Sequence, residues 1–131
     1  MSRELKFRAW DKKHRKYTKV LKIYFGSGGG NLGALVEDYE TNYAFELQAN
    51  QVELEQYTGL KDKNGKEIYE GDIMCWDNSK FSFQGHGVVM HEHGGWYVTE
   101  TICTLWACIT LYKAEVIGNI HEKPELLGGK E

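Results

Sequence analysis

Apolar and polar residues alternate along most of this chain with a period of two, the pattern of strands that bury one face. In "ELKFRAW", Leu5, Phe7 and Ala9 fall on one side and Glu4, Lys6, Arg8 and Trp10 on the other. "DKKHRKY" supplies polar turn residues. "TKVLKIYF" then resumes the alternation, with Leu21, Ile23 and Phe25 opposite Val20, Lys22 and Tyr24. Together the two runs predict a long hairpin with a basic tip. After the glycine-rich "GSGGGNLG" of residues 26–33, "ALVEDYETNYAFELQANQVELEQY" predicts a strand, a polar turn at "ETN", a strand around residues 43–47 and another over 52–57.

The densest turn chemistry lies in "QYTGLKDKNGKEIYEGDIM". Its Asn64-Gly65 pair suits a type I′ turn, or a slightly longer loop with glycine in the left-handed region. A second turn is expected at Glu70-Gly71-Asp72, where the aspartate caps nearby backbone N–H groups and opens the strand "DIMCW". That strand sets Ile73 and Cys75 against Met74 and Trp76. Further on, "GHGVVMHEHGGWYVTE" predicts two strands about Gly94-Gly95, and "LWACITLY" and "AEVIGNI" predict two more. Helix is expected only as a turn started by Pro124 in "KPELL" and as a segment near residues 48–56.

Many short strands with 15 glycines and one proline define a mainly β fold class with few short helices. The architecture expected is a small SH3-like, partly open β-barrel with an N-terminal β-hairpin subdomain. One domain covers residues 1–131, with 1–55 as the hairpin extension and 56–131 as the barrel-like body. A chain of 131 residues buries enough surface for an unassisted core.

Composition narrows the class further. Hydrophobic residues at 41% and charged residues at 27% belong to an ordinary folded protein, neither disordered nor membrane-embedded. No apolar run approaches the roughly 20 residues that span a bilayer, and "MSRE" does not begin a signal peptide. The expectation is therefore a cytoplasmic protein with no membrane partner. Three cysteines, Cys75, Cys103 and Cys108, are an odd number without CxxC spacing, so reduced thiols are expected rather than a disulfide framework. Cys103 and Cys108 are five apart, so in a strand they face opposite sides, which argues against a paired redox site.

Net charge is −3, but residues 1–25 hold nine Lys or Arg against two acids. Such an arm serves nucleic acid, a neighbouring subunit's acidic face, or simply the solubility of a hairpin edge. Candidate contacts to nucleic acid or a partner are Trp10, Lys12, Lys13, Arg15, Lys16 and Tyr17, where cations meet phosphates and rings stack on bases. The structural alternative pairs Trp10 with Tyr17 across the hairpin.

Other chemistry is weaker. His91 and His93 share a strand face and His86 lies five residues earlier, a candidate transition-metal set without diagnostic spacing. The glycine run matches a dinucleotide loop only as letters, since no helix is predicted after it. Glu37, Asp38, Glu40, Glu53 and Glu55 read as a solvated acidic face rather than a catalytic pair. No cofactor and no catalytic residue is expected.

Three separated blocks resemble the YopX family of phage and prophage proteins. They are "KFRAWD" (residues 6–11), "QYTGLKDKNGKEIYEGDI" (56–73) and "EVIGNIHEKPELL" (115–127). The resemblance implies a mostly β fold with a barrel-like body, in a small protein carried by bacteriophages or prophages. It brings no established activity and transfers no catalytic residue. The leading expectation is a non-enzymatic accessory protein, a binding or interaction module that forms a homo-oligomer or engages a host or phage protein. Nucleic-acid binding through the basic hairpin is the alternative, and metal-dependent hydrolysis a third reading.

Overall fold

A computed structural model describes residues 4–26, 32–78, 83–92, 94–101 and 103–127. The chain forms two units, Lys6–Gln56 and Tyr57–Glu131 together with Met1–Leu5. Both are built from antiparallel strands, so the protein is mainly β, and neither unit is a closed barrel.

In the N-terminal unit, strands β1 (Phe7–Asp11), β2 (Lys16–Phe25), β3 (Leu32–Glu37) and β4 (Ala44–Gln48) form a meander. A 3-10 turn, Ala49–Gln51, leads into β5 (Val52–Lys61), which returns to pair with β1. The order is thus β4-β3-β2-β1-β5, with the two outermost strands joined by three residues. Laid flat, five strands would separate the outer pair by at least about 19 Å, whereas the link reaches about 14 Å at most. The sheet must curl. A register shift in β2 between Val20 and Lys22 is the bend that lets one strand serve both halves of the curl. Its inside holds Ala9, Ala34, Val36, Leu47 and Val52, with Val20, Phe45 and Leu54 packed against them. The expected hairpin is thus the centre of a larger, half-open sheet.

In the second unit, the far half of β5 pairs with β6 (Glu67–Tyr69). A four-stranded sheet follows in the order β10-β7-β8-β9, from β7 (Asp72–Asn78), β8 (Phe83–Glu92), β9 (Gly95–Val98) and β10 (Glu115–Asn119). The chain must cross from the β9 edge to the β10 edge, and helix α1 (Leu105–Tyr112) makes that crossing. Residues 105–112 were expected to form a strand, and this is corrected. Thr104 Oγ1 accepts the N–H of Ala107 at 3.1 Å, capping the helix start. At the other end Lys113 adopts φ 56° and Ala114 N–H reaches Cys108 O at 3.1 Å. Leu105 and Cys108 point into a core with Ile68, Met74, Trp76, Val89, Val98 and Ala114, while Trp106 and Leu111 stay exposed. Pro124–Leu127 forms the expected short helical turn.

The stretch between β5 and β7 is held by two aspartates. Asp62 Oδ1 accepts the N–H groups of Asn64 and Lys66, and its Oδ2 accepts that of Val116 on β10. Gly65 sits at φ 84° in a loop closed by Asp62 and Lys66, the longer of the two turn forms suited to Asn64-Gly65. Asp72 Oδ2 accepts the N–H of Tyr69 around the Gly71 bend, so this aspartate caps as expected. The β10 edge, which would otherwise offer free N–H groups, is covered in part by the Asp62 loop.

Candidate binding cleft of the N-terminal unit

Two turns meet at one end of the curled sheet. The β1–β2 turn is organised by Asp11, whose side chain is fully buried. Its carboxylate accepts the backbone N–H groups of Lys13 and His14 and lies 2.8 Å from His14 Nδ1. Arg15 completes the reversal with φ 55° and an N–H bond to Asp11 O. The β3–β4 turn is organised by Asp38, which accepts the N–H of Glu40 through Oδ1 and that of Asn42 through its carbonyl.

A 2.6 Å ion pair between Lys16 Nζ and Asp38 Oδ2 ties the turns together. The hydrogen bond to Lys16, with that from the Glu40 N–H, holds the Asp38 carboxyl below its ordinary range. The same bond to Asp38 raises the Lys16 ammonium. Both groups stay charged at neutral pH. Between the turns lies a cleft of about 360 Å³ lined by His14, Lys16, Asp38, Tyr43 and Phe45. Tyr43 and Phe45 stack at 6.2 Å with 21° between their planes, and Tyr43 is 69% exposed. Tyr39, on the same turn, is 63% exposed.

The six residues singled out on the hairpin divide into two groups. Lys12, Lys13 and Arg15 stand exposed on the tip, and Lys16 turns to Asp38. Trp10 is buried at 4% exposure and meets Tyr17 edge-on, with centroids 4.9 Å apart. Arg8 lies 4.5 Å over the Tyr17 ring, while Tyr17 donates its hydroxyl proton to Glu55 at 2.9 Å. Trp10 and Tyr17 therefore spend their ring surfaces inside the hairpin, and Trp10 offers no open face for a base. Glu55, expected on a solvated acidic face, is buried and also accepts from Arg8 Nε at 2.7 Å.

The basic arm is offset within its own unit. Lys6–Gln56 contains eight Lys or Arg and seven Asp or Glu, a net of +1, while the other unit carries −4. Three cations of the Lys6–Gln56 unit, Lys12, Lys13 and Arg15, cluster exposed on the tip. Sequence reasoning missed His14, Asp38, Tyr43 and Phe45 as neighbours, because they come from two turns separated by the whole of β2 and β3.

His86 and His91 do not come together. They fall on opposite faces of β8, an odd number of residues apart, and His91 packs its ring on Trp96 at 4.6 Å. His93 lies outside the described residues. Among those described, neither His86 nor His91 joins a group of three His, Cys, Asp or Glu with ligand atoms within 4.8 Å of one another. His86 instead borders a cleft of about 600 Å³ with Trp76, Gly85, Gly87, Thr99, Glu100 and Leu127. The glycine run read against a dinucleotide loop falls largely on residues 27–31, also outside the described residues. The helical path at residues 105–112 voids the opposite-face argument for the cysteines. Both Cys103 and Cys108 pack on the core, with Cys103 Sγ 3.9 Å from Tyr112 Oη.

Antiparallel sheets, one of them curled and carrying a two-turn cleft at its end, define a mainly β protein. The particular family is shown by comparison: the model of the YopX protein family matches residues 6–128, and this chain belongs to that family. Among solved structures, it is similar to protein EF1440 from Enterococcus faecalis, at 27% identity, over 96% of this chain and 99% of that one, with a TM-score of 0.70. No curated protein matches.

Proposed function

We propose that this protein is a phage or prophage accessory protein working in the bacterial cytoplasm as a non-enzymatic binding module. The observation that supports this reading is the cleft between the two turns. It is fixed on strand ends by the Lys16–Asp38 pair, edged by exposed Tyr43, and formed in part by the β1–β2 turn that carries the cations of the tip. Rigid strand ends presenting rings and charges suit recognition. The test is affinity capture from prophage-induced host cells, with and without nuclease, using the native protein beside a Lys12→Glu/Tyr43→Ala variant. A binder lost selectively with the variant supports the reading, and an identical retained set with both proteins rejects it.

Self-association is a second reading, favoured by the opposite net charges of the units, +1 and −4. Opposite patches on separate copies attract at low ionic strength. Light scattering coupled to gel filtration decides it, since a monomer at both low and high salt would remove self-association.

A further inference from the structure

The tip and the cleft together carry two kinds of recognition element on one end of one unit. Lys12, Lys13 and Arg15 are exposed on the β1–β2 turn. On the facing turn, Tyr43 offers an open ring whose other side is backed by Phe45 at 6.2 Å. The distance between the turns is set by the Lys16–Asp38 pair at 2.6 Å. Asp38 is neutralised by Lys16, and the buried Asp11 carboxylate is engaged by His14 and two backbone N–H groups, so among the acids near the cleft Glu40 is the exposed one. The local balance is therefore positive beside a flat aromatic platform.

We propose that this end of the N-terminal unit binds single-stranded nucleic acid, with Lys12, Lys13 and Arg15 on phosphates and an unstacked base against the Tyr43–Phe45 platform. The inference rests on the binding-module reading and names its partner class. Cations that track a backbone next to rings that take successive bases are the physical requirements for single-strand binding. A double-stranded helix keeps its bases stacked inside and has no use for the platform. An acidic peptide would use the cations but gains little from a broad, parallel ring pair. The cleft, rather than Trp10 and Tyr17, is the stacking site.

Fluorescence anisotropy with labelled single-stranded DNA, single-stranded RNA and duplex DNA, across a salt series, tests the proposal. Single strands are expected to bind at low salt with a log–log salt slope of about −2, three phosphate contacts at about 0.7 each. Tyr43→Ala, at an exposed position, is expected to weaken binding about tenfold with the slope unchanged. Lys12→Ala/Lys13→Ala is expected to reduce the slope by about 1.4, two contacts at about 0.7 each. The DNA and RNA arms separate the two sources of the same chemistry. Absence of single-strand binding at low salt overturns the proposal, as does binding that neither variant alters or that duplex matches fully. If a labelled poly-glutamate peptide binds instead and is lost with the same variants, the nucleic-acid inference falls and the binding-module reading stands. If no probe binds and the capture experiment finds no variant-sensitive partner, both fall.

Discussion

The carboxylate of Asp62 and the backbone N–H of Val116, 54 residues apart in the chain, are joined by a 2.9 Å hydrogen bond. The same side chain accepts the N–H groups of Asn64 and Lys66, so one buried aspartate shapes a loop and fastens it to the edge of a sheet. The carboxylate faces inward because three backbone donors converge on it.

Asp62→Ala should therefore destabilise the protein by about 3 kcal/mol, since several donors lose a charged acceptor at once. Urea unfolding followed by tryptophan fluorescence measures this. A loss below about 1 kcal/mol would mean that water replaces the carboxylate freely.

The pH dependence of stability should carry the mark of the same residue. Burial alone would push the Asp62 carboxyl up. The N–H groups of Val116, Lys66 and Asn64 and the charge of Lys66 outweigh burial, leaving it below its ordinary value of 3.8. A carboxyl depressed by folding contributes stability that is present above the unfolded value and lost as pH falls through the folded one. Unfolding free energy should hold from neutrality down to about pH 4 and then decline. In Asp62→Asn that acid decline should be shallower, and an unchanged acid limb would count against the assignment.

Glu55 bridges Arg8 at 2.7 Å and Tyr17 at 2.9 Å from a buried position. Glu55→Ala removes a charged acceptor from the Arg8 guanidinium, a side chain only 17% exposed, and should cost about 3 kcal/mol. Arg8→Ala should be less than additive with it, by about 1 kcal/mol in a double-mutant cycle. Additive effects would show that the pair is not energetically coupled.

Two glycines should respond differently to a side chain. A Cβ at Gly87 would stand 2.1 Å from Thr99 O and 2.9 Å from Val98 Cγ1, a clash with backbone that cannot rotate away. Gly87→Ala should cost at least about 2 kcal/mol. Gly65 has open space around it but φ 84°, so Gly65→Val meets only backbone strain, about 1–2 kcal/mol. Thermal unfolding of the two variants should rank Gly87→Ala as the more damaging, and the reverse order would contradict the packing described.

Thiol reactivity should follow burial. Cys108 is 1% exposed, and burial followed by the proximity of Cys103 pushes its thiol up to about 11. Burial, then the charge of Glu115, also raises Cys75. A thiolate-specific reagent at neutral pH should leave Cys108 unmodified in the folded protein and reach all three cysteines after denaturation. Peptide mapping reads the positions, and native labelling of Cys108 would show that α1 does not seal this side of the core.

Much of the strand pattern was legible because alternation is a local property. Residues 4–10, 18–25 and 72–76 read as strands from period two and overlap the observed Phe7–Asp11, Lys16–Phe25 and Asp72–Asn78, while the Gly71-Asp72 bend and Pro124 turn follow from backbone chemistry that each residue imposes on its neighbours. Residues 105–112 were not legible in this way. A short, nearly all-apolar run fits a buried strand and a buried helix equally well, and Thr104 was the one local sign of a cap.

What the sequence by itself determined was the mainly β character, the turns at Gly65 and Gly71, the concentration of cations on the hairpin tip and the kinship with the YopX family. What only the tertiary structure decided was which charges cancel and which remain. Lys16 finds Asp38 and Arg8 finds Glu55 because a bend in β2 and a three-residue link curl distant strands together. The helical path of residues 105–112 and the meeting of His14 with Tyr43 and Phe45 were settled there too. Periodicity fixes what each residue does to its near neighbours, whereas pairing across tens of residues depends on how the whole sheet closes.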